Sequence, residues 1–483
     1  MNFYEGSKIL FLLYNLTLIL LTYFLTNISS SFFSFFLGFY LFMGFWFKYN
    51  LSLVFNDGYV FDSGLMKSSN IDNVLILSIY IFITIIIANQ ISKPFKYNKF
   101  EIQNKKNLIS NKYFKFKYLF ILLFIATVLF TGLTNYIFKI YIKGLIFENN
   151  YDFIFTSFLK WLLLFGLTTV GCYILNKEII NRNKYLFLFI LLIFLEMLIS
   201  YTSMLSRSIL LFGLPFIYSF VFYNINDIKM LRDHILLIII FALFSVVSIY
   251  LSNHLRLYHV DKLKSEVKKE YNLAVKEQDK NLTNNKVKNF ENSKKFNFQI
   301  NEVLVEKTQD DFTSNRVTSF ILINRWVGID SLINVSNSNN LSFELFFSAF
   351  KEKKKKLGNS FYETNFNLEY KKPSFNFNNT YVKGNTLPGL ITFLYYTGSI
   401  FFLLISTFII VVIFIYLEKK IYVISNKNIV YVAFFSHYIV NRIFSFGYAP
   451  RDTYLFILSI LLSVLFIYIL ETNRFDKILS NLK

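Results

Sequence analysis

The sequence predicts an all-α, polytopic membrane protein with about eleven (10–12) transmembrane helices and one large extracytoplasmic segment. Three observations carry this. Apolar runs of about 20 residues recur along the chain, each long enough to cross ~30 Å of hydrocarbon as a helix. The 483 residues are 54% hydrophobic and 20% aromatic, with a mean hydropathy of +0.45. The short segments between runs alternate between strongly basic and weakly charged, the asymmetry that orients a membrane protein.

The runs fall near 8–26, 31–47, 72–91, 115–133, 152–175, 185–204, 208–224, 233–252, 388–417, 428–447 and 453–471. The first follows "MNFYEGSK" without an A-x-A-like cleavage site and is expected to be a retained helix. The 388–417 run would be roughly 45 Å long as one helix, so a bend is expected near Gly398 in "YYTGS". The one cysteine, Cys172, rules out an intrachain disulfide framework.

Residues 92–117, "NKEIINRNK" (176–184), "NDIKMLRD" (226–233), "LEKKIYVISNK" (417–427) and the tail from Glu471 are all basic, and one orientation makes all five cytoplasmic. Simple alternation then puts residues 1–7 outside, whereas a further or re-entrant segment near 31–70 would put them inside. Alternation also puts 199–207, 253–386 and "GYAPRD" (447–452) on the outer face. The chain divides into an N-terminal bundle (1–252), an extracytoplasmic loop or small domain (253–386) and C-terminal helices (387–483). Within the loop, the arm from Val260 to Phe296 is polar and mixed in charge, so it reads as solvated. The stretch "TSFILINRWVGIDSLINV" (318–335) is apolar and aromatic, and is expected to pack on the bundle or dip into it.

The formal net charge of +20 is mostly lysine: 50 residues are Lys or Arg, and nine of these are Arg. Lysine is the default cation here, so the few arginines carry more information, because only arginine offers a rigid bidentate fork. Arg207, Arg256, Arg316, Arg325, Arg442 and Arg451 all fall on or near the outer face. Such a set can grip a phosphate or diphosphate through paired N–H bonds. Each arginine alone reads equally well as an anchor to lipid headgroups.

Arg207 lies in "ISYTSMLSRSIL" (199–210), with Glu196 just upstream in an apolar run. An acid at such depth is expected to face a cavity, to be protonated or to pair. The eleven-residue spacing puts Glu196 and Arg207 on one face if the helix is unbroken. "SNHLRLYHVD" (252–261) places His259, a candidate base, beside Arg256. "NRWVGID" (324–330) joins Arg325, a sugar-stacking candidate in Trp326, and Asp330. In "HYIVNRIFSFGYAPRD" (437–452), His437 and Asn441 share a helix face, and Arg442, Tyr448 and Arg451 lie near the exit turn. No phosphate-binding loop, dinucleotide fingerprint, HExxH or GxSxG motif stands in a fitting context, so no cofactor, metal or nucleic acid is expected.

In layout, and in "SMLSRS" (203–208), "NRWVGID", "NTLPGLITFLYYTGS" (385–399) and "FGYAPRDTYLF" (446–456), the chain resembles the bacterial O-antigen and polysaccharide polymerases (Wzy-type), relatives of the O-antigen ligases. Family members often have two sizeable outer loops, and this chain has one. The resemblance implies multi-pass residence in the bacterial inner membrane. It implies metal-independent glycosyl transfer between polyprenyl-diphosphate-linked repeat units, with a flippase and a chain-length regulator as partners. It assigns diphosphate binding to Arg207, Arg256 and Arg325, then Arg442 and Arg451. His259 would be the base, with Glu196 and Asp330 behind it, and Trp326 and Tyr448 would contact sugar. Open alternatives are a single-sugar transferase using Asp57 and Asp62 in "FNDGYVFDSG" (55–64), an O-antigen ligase and a glycolipid transporter.

The orientation is testable with tags. Tags at positions 105 and 422 should react only from the cytoplasmic side, and one at 285 only from outside. External reactivity at 105 would reverse the orientation.

Overall fold

The computed structural model describes residues 6–28, 31–55, 71–92, 111–142, 145–147, 152–180, 186–206, 213–219, 236–252, 254–255, 326, 328–352, 361–366, 376–377, 380–382, 388–445 and 450–472. These form a helical bundle. Eight helices among them are long and apolar enough to cross a membrane, and two shorter apolar ones are Leu236–Ser252 and Ile429–Phe444.

In chain order the helices are α1 (Lys8–Tyr23), α2 (Phe32–Leu41), α3 (Lys48–Phe55), α4 (Ile71–Ile91), α5 (Asn111–Phe138), α6 (Phe153–Trp161), α7 (Leu167–Ile180) and α8 (Leu186–Ser203). A short helical stretch at 213–219 precedes α9 (Leu236–Ser252). Then come α10 (Ile329–Ser336), α11 (Phe343–Phe350), α12 (Phe361–Asn365), α13 (Leu390–Leu394), α14 (Ile400–Ile424), α15 (Ile429–Ile439) and α16 (Pro450–Glu471). π-helical turns extend α1 (Phe24–Ile28), join α2 to α3 (Phe42–Phe47), join α6 to α7 (Leu162–Gly166) and extend α15 (Val440–Ser445).

Local sequence explains where helices start. Ser7, Ser31, Asp152, Ser342, Ser399 and Asn428 each sit one residue before a helix, and each side chain accepts a backbone N–H from the first turn. Such caps matter more in lipid, where water cannot satisfy the free N–H groups. Gly398 takes φ 69°, a left-handed conformation that glycine adopts without a Cβ clash. The 388–417 run therefore divides, and its crossing helix is displaced to Ile400–Ile424.

The core sits around α2, α7 and α15. Every residue of α15 is buried, whereas α1, α5, α14 and α16 expose rows of Leu, Ile and Phe, such as Leu16, Leu122, Phe401 and Leu461. Rows of this kind suit contact with acyl chains.

Polar contacts define two ends of the bundle. At one end the Glu418 carboxyl caps α2: it accepts the Phe32 N–H at 2.8 Å, the Phe33 N–H at 3.3 Å and the Ser31 hydroxyl. At the same end Glu471 accepts from Lys177 at 2.6 Å and Asn428 at 3.0 Å, and Lys117 pairs with Glu178 at 2.8 Å. At the other end Lys48 pairs with Asp330 at 2.7 Å, the Ser7 N–H reaches Asp72 at 3.1 Å, and Ser252 donates to the Ser206 carbonyl. A small antiparallel sheet of order β1–β3–β2 joins β1 (Leu145–Phe147), which follows α5, to β2 (Asn376–Phe377) and β3 (Thr380–Val382), which precede α13. Strands of two or three residues leave too short a pattern to read from sequence.

The Glu418 contact generates a stability prediction. Glu418→Ala strands two backbone donors at a helix N-terminus and should cost about 3 kcal/mol, whereas Ser31→Ala should cost about 1 kcal/mol. Thermal unfolding in detergent checks the order. A Ser31→Ala penalty as large as that of Glu418→Ala would show that the carboxyl is not the main cap.

Candidate functional site

Two polar sets lie inside the bundle, and the π turn Val440–Ser445 contributes to both. In the first, the buried Tyr40 hydroxyl lies 2.9 Å from His437 Nε2 and accepts from Asn441 Nδ2 at 2.7 Å. His437 is fully buried, against Phe36. The expectation that His437 and Asn441 share a face agrees with this geometry, since both reach one hydroxyl on α2.

The second set is built on α8 and α15. Ser200 donates to Glu196 Oε1 at 3.0 Å, one helical turn away, and Oε2 has no hydrogen-bond partner among the described residues. A side-chain hydrogen bond joins Tyr201 to Tyr438. The Tyr438 hydroxyl donates to the Leu164 carbonyl at 3.0 Å. Arg442 lies near Tyr438, and Tyr141 is close to both tyrosines. Lys160 sits 5.8 Å from the Tyr141 ring.

The π turns account for part of this arrangement. A π turn is wider than an α turn and leaves a carbonyl free of the usual ladder. Here neighbouring tyrosines fill the role: Tyr438 on Leu164, and Tyr14 on Phe45 at 2.8 Å. In the turn Val440–Ser445, successive residues Asn441 and Arg442 serve different sets.

Trp326 and residues 328–336 close over the first set, as their apolar pattern predicts. The Trp326 ring lies 5.6 Å from Tyr40 and 5.9 Å from Phe39. Ile329, Leu332, Ile333 and Val335 are buried. The approach is backbone to backbone, for a Cβ on Gly328 would stand 2.3 Å from the Gly44 carbonyl oxygen. Lys48 Nζ, its side chain 2% exposed, donates to the Trp326 carbonyl at 3.0 Å as well as to Asp330. Asp330 also accepts the Gly328 N–H at 3.2 Å. Its observed role is therefore to anchor the loop segment to α3.

Of the sequence-predicted residues, Glu196, Trp326, Asp330 and Arg442 fall within the described structure. Arg207, Arg256, His259, Arg325 and Tyr448 lie outside the described residues. Arg451 stands in the first turn of α16, and its side chain is likewise outside them.

The premise of an unbroken helix from Glu196 to Arg207 is corrected. α8 ends at Ser203, where Leu205 turns left-handed at φ 50°. The Leu205 N–H bonds Thr202 O and the Ser206 N–H bonds Tyr201 O, the paired reverse bonds of a Schellman stop. Helical periodicity therefore cannot place Arg207 on the face of Glu196.

Sequence reasoning missed Tyr40, Lys48, Tyr201 and Tyr438. The tyrosines do not stand out among 33 in the chain. Lys48, a lone cation ending an apolar run, was a usable signal. Among the described residues no group of three or more His, Cys, Asp or Glu comes together as metal ligands would.

Comparison with protein-family models, with curated proteins and with solved structures gives no match. The class follows from the structure itself: a helical membrane protein with several apolar, membrane-length helices, two buried polar sets and a loop segment seated over one of them.

The Gly328 contact predicts that Gly328→Ala cannot be accommodated by side-chain movement. It should destabilise the protein by roughly 1–3 kcal/mol, as overpacking does. Tryptic cleavage after Lys48 should rise as the segment lifts. Unchanged stability and protection would refute the close approach.

Proposed function

We propose that this chain joins polyprenyl-diphosphate-linked oligosaccharide repeat units into polymer at the outer face of the bacterial inner membrane, in O-antigen, capsule or exopolysaccharide synthesis. The observation that carries the reading is the seat of Trp326. An aromatic side chain from the long inter-span segment rests on Tyr40, above a polar interior, at the end held by Lys48 and Asp330. Aromatic faces stack on sugars, and Arg316 and Arg325 precede this seat in sequence.

The reading takes eleven crossings, with the Lys48 end outside. In its favour, Lys117, Lys177 and Glu418, which belong to basic connecting segments, all lie at the opposite end. Ser7 lies beside Asp72, in keeping with an N-terminus outside. The contact between β1 and β3 joins two segments that alternation assigns to one side.

In the proposed reaction a sugar hydroxyl of one carrier-linked unit attacks the anomeric carbon of another. The bond to the carrier diphosphate breaks, and the hydroxyl proton passes to a base. Preorganised guanidinium groups of Arg207, Arg256, Arg325, Arg442 and Arg451 would receive the charge that develops on the diphosphate. Asp330 is engaged by Lys48, so His259 is the leading base, followed by Glu196.

Deletion followed by lipid-linked glycan profiling tests the proposal. Loss of the polymer ladder with retention of single units is expected. Restoration with Arg442→Lys should leave polymer about 10²-fold down at normal protein level, as loss of one transition-state donor does. An intact ladder after deletion would refute polymerisation. Loss of single units as well would select a ligase or transporter.

A further inference from the structure

The loop segment also carries a surface that neither polar set uses. α11 (Phe343–Phe350) buries Phe346 and Ala349 against the bundle, where Phe346 meets Phe393 at 5.0 Å and Phe402 at 5.2 Å. Three further phenylalanines face outward: Phe343 is 48% exposed, Phe347 59% and Phe350 38%. With 100° per residue they fall within one narrow strip of the helix. Glu344 and Ser348 lie on the opposite flank. A strip of three phenyl rings does not rest stably in water.

Its surroundings say what covers it. The Phe343 ring packs at 5.3 Å on Phe402 in the first turn of α14. That turn belongs to a membrane-length helix whose outward side chains, Phe401, Ile405 and Ile409, are 80%, 57% and 48% exposed. The strip thus continues the acyl-facing surface of α14 around its head. α11 is eight residues long and cannot span. Ser342, its cap, accepts the Leu345 N–H and bonds through its own N–H to the Tyr396 carbonyl at 2.9 Å, which fixes the helix to the turn before α14. The chain leaves α11 through exposed Lys351 into "KEKKKK" (351–356). The one acid of that run, Glu352, is used internally, accepting the Phe361 N–H at 2.9 Å.

We infer that α11 is an in-plane membrane anchor: Phe343, Phe347 and Phe350 enter the acyl–headgroup boundary at the Lys48 end of the bundle, and exposed Lys351, next to Phe350, binds an anionic phospholipid headgroup there. The partner is the bilayer's own anionic lipid. An apolar strip together with adjacent cations is the pairing that holds interfacial helices. The anchor does not depend on the reaction proposed above, and it fixes the membrane depth of the segment that carries Trp326.

Spin labels on the full-length protein test this, since the single native cysteine, Cys172, is buried. Phe347→Cys and Glu344→Cys are labelled in vesicles of phosphatidylcholine with and without phosphatidylglycerol. The label at 347 should collide with oxygen and exclude a water-soluble nickel chelate, and the label at 344 should do the reverse. Nickel access at 347 equal to that at 344 would place the strip in water and overturn the anchor. Exclusion of both reagents at 347 would mean a protein partner and overturn it equally. A second arm titrates phosphatidylglycerol into detergent-solubilised protein and follows Tm. The rise in Tm should require roughly fivefold more lipid when Lys351 is changed to Gln. An unchanged titration would remove the anionic headgroup as partner.

Discussion

The bundle depends on the grip of Glu418 on the start of α2. In lipid a helix N-terminus presents N–H groups that water cannot reach, and leaving them unmet costs about 1–3 kcal/mol each. Here the neighbouring span supplies the acceptor, and a carboxyl also suits the positive end of the helix dipole. The contact fixes the height of α2 relative to α14. Everything farther along that helix inherits the alignment: Tyr40 comes level with His437 and Asn441, and Lys48 with Asp330. A slip of one turn, about 5.4 Å, would undo both.

The same constraint explains why tyrosine recurs inside. A π turn exposes a carbonyl, and in two of the four described a phenol reaches it across a helix interface while burying an apolar ring. Tyr14 and Tyr438 do this for Phe45 and Leu164. The irregular turn Val440–Ser445 places unequal side chains, Asn441 and Arg442, in successive positions. Gly328 on Gly44 solves a related problem: two chains meet where no side chain fits between them. The loop segment is thereby held by shape, by burial of Ile329 and Leu332, and by an ion pair, three interactions of different physical kind.

Most membrane-length helices were legible because hydropathy and length are local properties. The bend at Gly398 and the shared face of His437 and Asn441 were legible for the same reason. The packing of Trp326 and residues 328–335 could be read in part from their apolar composition. Contacts between distant residues could not. Lys48 meets Asp330 across 282 positions, and nothing in either neighbourhood names the other. The end of α8 at Leu205 was hidden because a leucine, not a glycine or asparagine, adopts the left-handed stop. Of the candidate site, sequence identified Glu196, Trp326 and Arg442 but not the tyrosines that hold their surroundings, since side-chain type alone does not reveal which tyrosine faces inward.

The separation of Ser31 from Glu418 also sets a clock. The two residues lie 387 positions apart, and at about 5–20 residues per second translation takes roughly 20–80 s to cover that distance. Throughout that interval α2 and its Ser31 cap are made, but the carboxyl acceptor is not. Early helices therefore reside in the membrane with the Phe32 and Phe33 N–H groups unmet, tended by headgroups or by the insertion machinery. They reach their final height only when α14 arrives. Nascent chains cut short before α14 should for that reason be the natural prey of membrane quality-control proteases.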